Sequence, residues 1–302
     1  MSRNPSLAAV LALVVAAASA AAAAPTPLVD AAWLARHGCD AGVVVLDIRD
    51  NARAFERARV PCAVHAPYAG LGWREERDGV PGMLPAPAAL AAMIGGLGVG
   101  DADHVVVVGE GGGALDMTAA TRVYWTFKVL GHDAVSLLDG GFAAYRAARD
   151  LALDKGETPA PAAKAFSARL QPELVASAAD IAAGGVALVD ARESDYFVGV
   201  NRSASAGRAG TIPGADNVPI SWLTTPDGRF QDRGLLAAIA AATALTSDRP
   251  LIAFCNTGQM ASLDWFVSHE LLGNDAARLY DGSMAEWSRD AARPVERRIG
   301  GD

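Results

Sequence analysis

"VVVLDIRD" at residues 43–50 and "VALVDARE" at 186–193 are two versions of one strand end: an apolar run, an aspartate, one further residue and an arginine. Working outward, "PCAVHAP" (61–67) answers to "PGADNVP" (213–219), and "VSLLDGGFAAY" (135–145) answers to "ARLYDGSMAEW" (277–287). Asp47 and Asp190 are 143 residues apart, Asp139 and Asp281 142, so the copies stay in step over a whole domain. A repeat of that length predicts two similar domains.

Each copy alternates short Val/Ile/Leu runs with Ala/Leu-rich segments of helical length. The runs at 43–48, 105–108 and 135–138, then 186–189, 251–254 and 277–280, have the length of buried strands. Helices are expected over 86–95, 117–130, 234–245 and 262–272. Strands alternating with helices imply an α/β fold in which a mainly parallel sheet is flanked by helices on both faces. Between the copies, "DKGETPAPAAKAF" (154–166) is rich in Pro and Ala without apolar periodicity, as in a linker. The expected division is a leader over 1–24, a first domain over 28–153, and a second over 167–302.

The chain has 302 residues, about half of them apolar, enough for two domains with their own cores. A formal charge of -8 and scattered basic residues argue against a nucleic-acid surface, which needs a Lys/Arg stripe to neutralise phosphates. The opening "MSRNPSLAAVLALVVAAASAAAAAPTP" has one Arg, an apolar run from Leu7, and small residues suited to cleavage near Ala22–Ala24. That is the pattern of a secretory signal peptide. The rival reading is an anchor helix of marginal length, but its alanines make it weakly hydrophobic, and the flanks favour export. The mature protein is then expected in the periplasm or outside the cell, with no stable membrane insertion after cleavage. In such a compartment Cys39 and Cys62 can pair, leaving Cys255 as the odd thiol; equally, Cys39 and Cys62 can be buried small hydrophobes. The five histidines are dispersed and no metal-ligand spacing occurs, so no metal is expected.

Cys255 opens "CNTGQM" (255–260), which follows the run "LIAF" and precedes "ASLDWFVSHELLG". In an open parallel sheet, ligands gather at the carboxyl ends of strands. A cysteine between a strand end and a helix start meets exposed N–H groups and a helix dipole, a setting that favours a thiolate. Gly258 permits the curvature of an anion-binding nest. A buried cysteine that merely ends a core strand is the plain alternative. The polar character of Asn256, Thr257, Gln259 and Ser262 weighs against it.

The doubled Asp-x-Arg strands, "AGTIPGADNVP" (209–219), the six-residue loop "CNTGQM" and "LYDGSMAEW" together resemble the tandem-domain rhodanese sulfurtransferases over nearly all of the mature chain. The resemblance implies two rhodanese-like domains, the first catalytically silent and the second carrying the cysteine. No cysteine lies between Cys62 and Cys255. "GEGGGALDM" (109–117) is then the degenerate counterpart of the cysteine loop; it lacks the Gly-Lys-Ser/Thr ending of a phosphate loop.

The same resemblance implies sulfur transfer through a persulfide on Cys255, with loop residues Asn256, Thr257, Gly258, Gln259, Met260 and Ala261 around it and no cofactor. The implied partners are a small anionic sulfur donor, such as thiosulfate, and an acceptor, cyanide or a thiol, a protein thiol included. Arg192 matches the family arginine that reaches the active loop; a structural salt bridge with Asp190 is compatible with that role. Arg202 and Arg208 lie in an insertion that the first copy lacks, since Asp190 to Pro213 spans 23 residues and Asp47 to Pro61 spans 14. They can line the entrance or sit as solvated surface arginines.

Two departures matter. Thiosulfate-preferring relatives tend to carry Arg or Lys inside the loop and mercaptopyruvate-preferring ones a Gly-Ser-Gly type of loop; "CNTGQM" has neither, so the donor stays open. Thr211 stands where the family commonly has His. Among rival readings, a cysteine phosphatase or arsenate reductase needs an arginine six positions after the cysteine to clamp an oxyanion, and that residue is Ala261. A rhodanese-fold binding protein without activity is the stronger rival, and the retained Cys255 argues against it.

Overall fold

The computed structural model describes residues 26–246 and 249–299; the expected leader over 1–24 lies outside them. The described residues form twelve strands: β1 Leu28–Val29, β2 Val43–Asp47, β3 Val64–His65, β4 Glu75–Arg77, β5 Val80–Met83, β6 His104–Val108, β7 Val135–Leu138, β8 Val175–Ala176, β9 Ala187–Asp190, β10 Asp216–Asn217, β11 Leu251–Phe254 and β12 Ala277–Tyr280. The first sheet has the order β1-β7-β6-β2-β3 and the second the matching order β8-β12-β11-β9-β10. Every pairing in both is parallel. The central strands are wholly buried: Val105–Val108 and Leu251–Phe254 have no exposed surface. Their continuous apolar runs reflect helices on both faces.

Register carries the repeated Asp-x-Arg to the sheet end that matters. Phe254 pairs with Asp190, and in the first copy Val108 pairs with Asp47. Cys255, one step beyond Phe254, therefore leaves its sheet beside the strand end that carries Arg192.

One expectation is corrected: the domains do not keep separate cores. A single apolar cluster runs from Val105, Met117, Tyr124 and Phe127 of the first copy to Leu251, Leu263, Trp265 and Phe266 of the second. The seam is formed by the helix Ala114–Val129 against the helix Ala261–Phe266, where Tyr124 and Phe266 meet edge to face with ring centroids 4.9 Å apart. Ala114–Val129 is buried nearly all round because its sheet covers one side and the partner helix the other. Smaller clusters fill the outer layers, around Val45, Phe55 and Leu138 in one copy and Ile252, Phe254 and Trp287 in the other.

Helices are shorter than the apolar periodicity suggests after the cysteine loop: Ala261–Phe266 passes into a π-helical turn, Val267–Leu271. The antiparallel pair β4–β5 of the first copy is reduced in the second to a single antiparallel bridge, Thr224–Phe230, and the residue after it, Leu84, reaches Asp281 of the second copy. Cys39 and Cys62 are joined as a disulfide across a separation of 23 residues. Closing a loop of that size stabilises the folded state by about 3 kcal/mol in the chain-entropy account. The segment around 164–171 lies along the first domain, with Lys164 N–H donating to Gly95 O at 3.0 Å and Arg169 N–H to Leu130 O at 2.8 Å. No described helix is long and apolar enough to cross a membrane.

Candidate active site

Cys255 is 1% exposed and is a free thiol. Its loop is fastened from below by Ser283, in the turn after β12. Ser283 Oγ accepts the N–H groups of Cys255 and Gly258, each at 3.0 Å, and donates to Tyr280 O at 2.8 Å. The carbonyls of Cys255 and Asn256 accept from the N–H groups of Met284 and Ala285 at 3.1 and 2.9 Å. Among the described residues, no protein acceptor takes the N–H groups of Asn256, Thr257, Gln259 or Met260. A curved loop with unused N–H groups is a place where an anion can be held.

Gly258 adopts φ +75°, and an added Cβ would stand 2.6 Å from Arg122 Nη1 and 2.8 Å from Asp281 O. Glycine is required there by both conformation and space. Arg122 comes from the first domain, on the helix Ala114–Val129. It has no exposed side-chain surface, stacks over the Trp125 ring with its guanidinium carbon 4.6 Å from the centroid, and places Nη2 2.6 Å from Asp281 Oδ1. Arg122 Nε and Nη1 have no hydrogen-bond partner among the described residues. Asp281 Oδ2 accepts the N–H of Leu84, again from the first domain, at 2.6 Å.

Arg192 makes a two-point contact with Asp190, with Nε–Oδ1 at 2.9 Å and Nη2–Oδ2 at 2.6 Å, and also donates to Gly210 O. Its Nη1 reaches Asn256 Oδ1 at 3.4 Å, so it touches the loop. In the first copy Arg49 grips Asp47 in the same way, which makes the Asp–Arg pair a device of the fold. Thr211 Oγ1 donates to Asp190 Oδ2 at 2.7 Å; the residue that replaces the common histidine steadies the same carboxylate.

The structure does not bring Arg202 and Arg208 to the loop. Arg202 donates to the carbonyls of Ser203 and Ala206 within its own insertion, and Arg208 to those of Ser288, Asp290 and Arg293. Both pin backbone, and none of these bonds reaches the cysteine loop. Met260 and Ala261 supply the turn into the helix, with Ala261 fully buried. Gln259 bridges to the first domain through Thr118 Oγ1, Tyr68 and Arg74.

The counterpart loop of the first copy is aligned by identical backbone bonds: Phe142 N–H to Gly109 O and Ala143 N–H to Glu110 O. Gly109 therefore stands in the place of Cys255, and Gly141, at φ +62°, in the place of Ser283, at φ +49°. Thiol and capping hydroxyl are absent together from the first copy. Sequence reasoning passes over Ser283; the pairing of "DGG" (139–141) with "DGS" (281–283) is the signal that could have found it.

A model described as a rhodanese-like domain matches residues 30–148 and again 175–290. The chain belongs to the rhodanese family. It is 31% identical over 280 residues to a protein of Saccharopolyspora erythraea assigned as a thiosulfate sulfurtransferase, covering 89% of this chain and 95% of the relative. It is 30% identical over 285 residues to the 3-mercaptopyruvate sulfurtransferase of Escherichia coli K12, covering 90% and 98%. The crystal structure of Escherichia coli SseA, described with the rhodanese fold, superposes with a TM-score of 0.74 at 29% identity over 86% of this chain and 99% of that one. With two rhodanese domains and relatives of this kind along most of its length, the chain is a sulfurtransferase.

Proposed function

We propose that the protein moves a sulfane sulfur from thiosulfate or a related donor, 3-mercaptopyruvate included, to cyanide or a thiol through a persulfide on Cys255. The observation that carries this reading is the contrast between the copies. Only the second places a thiol at the end of the central strand, with a hydroxyl beneath it that holds two loop N–H groups. The first, with Gly109 and Gly141 at those places, is the catalytically silent partner.

In the forward step, the Cys255 thiolate attacks the outer sulfur of the donor. A new S–S bond forms, and the bond from that sulfur to the rest of the donor breaks. With thiosulfate, sulfite departs with the electron pair; with 3-mercaptopyruvate, the enolate of pyruvate departs and takes a proton at carbon. The persulfide anion then sits against the loop N–H groups that have no protein acceptor, which stabilise charge there as an oxyanion hole does for oxygen. In the return step, cyanide or a thiolate bonds to the outer sulfur and the Cys255 thiolate leaves, giving a two-stage exchange. Arg192 supports the loop through Asn256, and no residue of the loop carries charge.

The leader pattern and the Cys39–Cys62 disulfide support an exported, periplasmic or secreted protein, since disulfides persist in oxidising compartments. Intact mass after incubation with each donor tests the central claim. The wild type is expected to gain one sulfur atom that cyanide removes, and Cys255→Ser is expected to gain none and to transfer none. Sulfur transfer surviving in Cys255→Ser would refute the mechanism. A wild type inert to every donor would favour a binding protein on the same fold.

A further inference from the structure

The cysteine loop carries no charged side chain of its own, yet a guanidinium from the other domain is fitted into it. Arg74 precedes the strand pair β4–β5 of the first domain and spends each of its nitrogens on a neutral acceptor. Nε donates to Gly82 O at 2.9 Å, Nη1 to Gln259 Oε1 at 2.9 Å and Nη2 to Thr257 O at 2.5 Å. The space for this head group is made by Gly82, at φ +83°, where an added Cβ would lie 1.7 Å from Nη2. Gln259 is held from other sides as well: its Nε2 donates to Thr118 Oγ1 at 2.9 Å, and its Oε1 accepts from Tyr68 Oη at 3.3 Å. Burial, above all, raises the Tyr68 phenol above its ordinary titration range, so it stays a donor.

A guanidinium presents its donors in a rigid planar fork. Gripping the carbonyl of Thr257 and the side chain of Gln259 with one fork fixes the peptides on both sides of Gly258, the residue whose N–H meets Ser283. Loop N–H groups that are aimed before the reaction need no reorganisation during it.

We propose that Arg74 is a positioning residue for the cysteine loop, through which the domain without the thiol sets the geometry around Cys255. It acts through the loop: two of its three hydrogen bonds go to loop residues, Thr257 and Gln259, and the third anchors it to Gly82. The grip depends on the fork, so charge alone does not replace it. Arg74→Lys and Arg74→Gln are therefore expected to fall together. Their kcat drops by roughly ten- to a hundredfold, the cost of an ångström-scale misplacement. KM stays within about twofold for both thiosulfate and 3-mercaptopyruvate, as for an interaction lost only in the transition state.

This kinetic expectation rests on the sulfurtransferase reading, so a second measurement is made independent of it. Hydrogen exchange of the peptide covering 254–263, followed by mass spectrometry on the full mature chain, is expected to quicken by at least about tenfold in both variants, with peptides from β6 unchanged. Gly82→Ala, which evicts the guanidinium while keeping Arg74, is expected to loosen the same peptide even if an Arg74 variant folds poorly. Wild-type loop protection in all three variants would overturn the proposal. So would full kcat in Arg74→Lys, or a KM that rises for one donor while kcat holds. A loosened loop in a protein whose wild type accepts sulfur from neither donor would uphold the clamp and sink the sulfurtransferase reading instead.

Discussion

Ser283 sits at φ +49°, where its copy in the first domain is glycine. A side chain in left-handed backbone costs about 1–2 kcal/mol, and the hydroxyl offsets this by accepting two N–H groups and donating to Tyr280 O. The two effects can be separated by mutation. Ser283→Ala keeps the strain and orphans both buried donors, so it is expected to lose about 1–3 kcal/mol. Ser283→Gly loses the same bonds but relaxes the backbone, and is expected to be more stable than the alanine variant by about 1 kcal/mol. Both should transfer sulfur poorly, since the Cys255 and Gly258 amides are no longer held. Urea denaturation of the two variants decides it: an alanine variant equal to or stabler than the glycine one would mean that φ +49° is not strained here.

On the scale of single elements, the helix Ala261–Phe266 carries a liability. Asp264 has no exposed surface, and neither carboxyl oxygen has a hydrogen-bond partner among the described residues. Burial, reinforced by the charge of Asp190, raises its pKa well above the ordinary carboxylate range. The unfolded chain titrates near about 3.9, so stability from this group is full below that pH and is lost as pH climbs toward the folded value. The slope reaches about 1.4 kcal/mol per pH unit. Asp264→Asn cannot titrate; its Tm relative to wild type is expected to be higher at about pH 8 than at about pH 5, because the wild type loses stability as pH rises and the variant does not. A difference independent of pH would mean that the carboxyl does not bind a proton in the fold. Elements of this kind also mark how far sequence reaches. The buried strands are legible because runs such as Val105–Val108 have no polar residue to place, and Cys255 because it follows such a run directly. The short edge strands β1 and β8, two residues each, carry no periodicity to detect. The partners of Arg202 and Arg208 are not legible because an insertion gives no hint of which backbone carbonyls it will bind. Arg74, Arg122 and Asp281 are invisible for a further reason: each finds its partner in the other copy, and no local pattern encodes that.

At the scale of the whole molecule, the two copies are joined through the site as well as through the apolar seam. Arg122 and Asp281 form a buried ion pair across the boundary, with side-chain exposures of 0% and 6%. Desolvating two charges costs as much as their attraction returns, so such a pair adds little net stability, whereas removing one partner strands the other. Arg122→Met is accordingly expected to lose about 3–5 kcal/mol, the range for an uncompensated buried charge. Asp281 would keep the Leu84 amide as a donor but no cation beside it. Adding Asp281→Leu to Arg122→Met should recover most of that loss while leaving sulfur transfer impaired, because Asp281 belongs to the turn that carries Ser283 beneath the cysteine loop. Guanidinium denaturation of the two single variants and the double variant, combined as a cycle, measures the coupling. A double variant no more stable than Arg122→Met would mean that the arginine contributes through its packing on Trp125 and not through its charge.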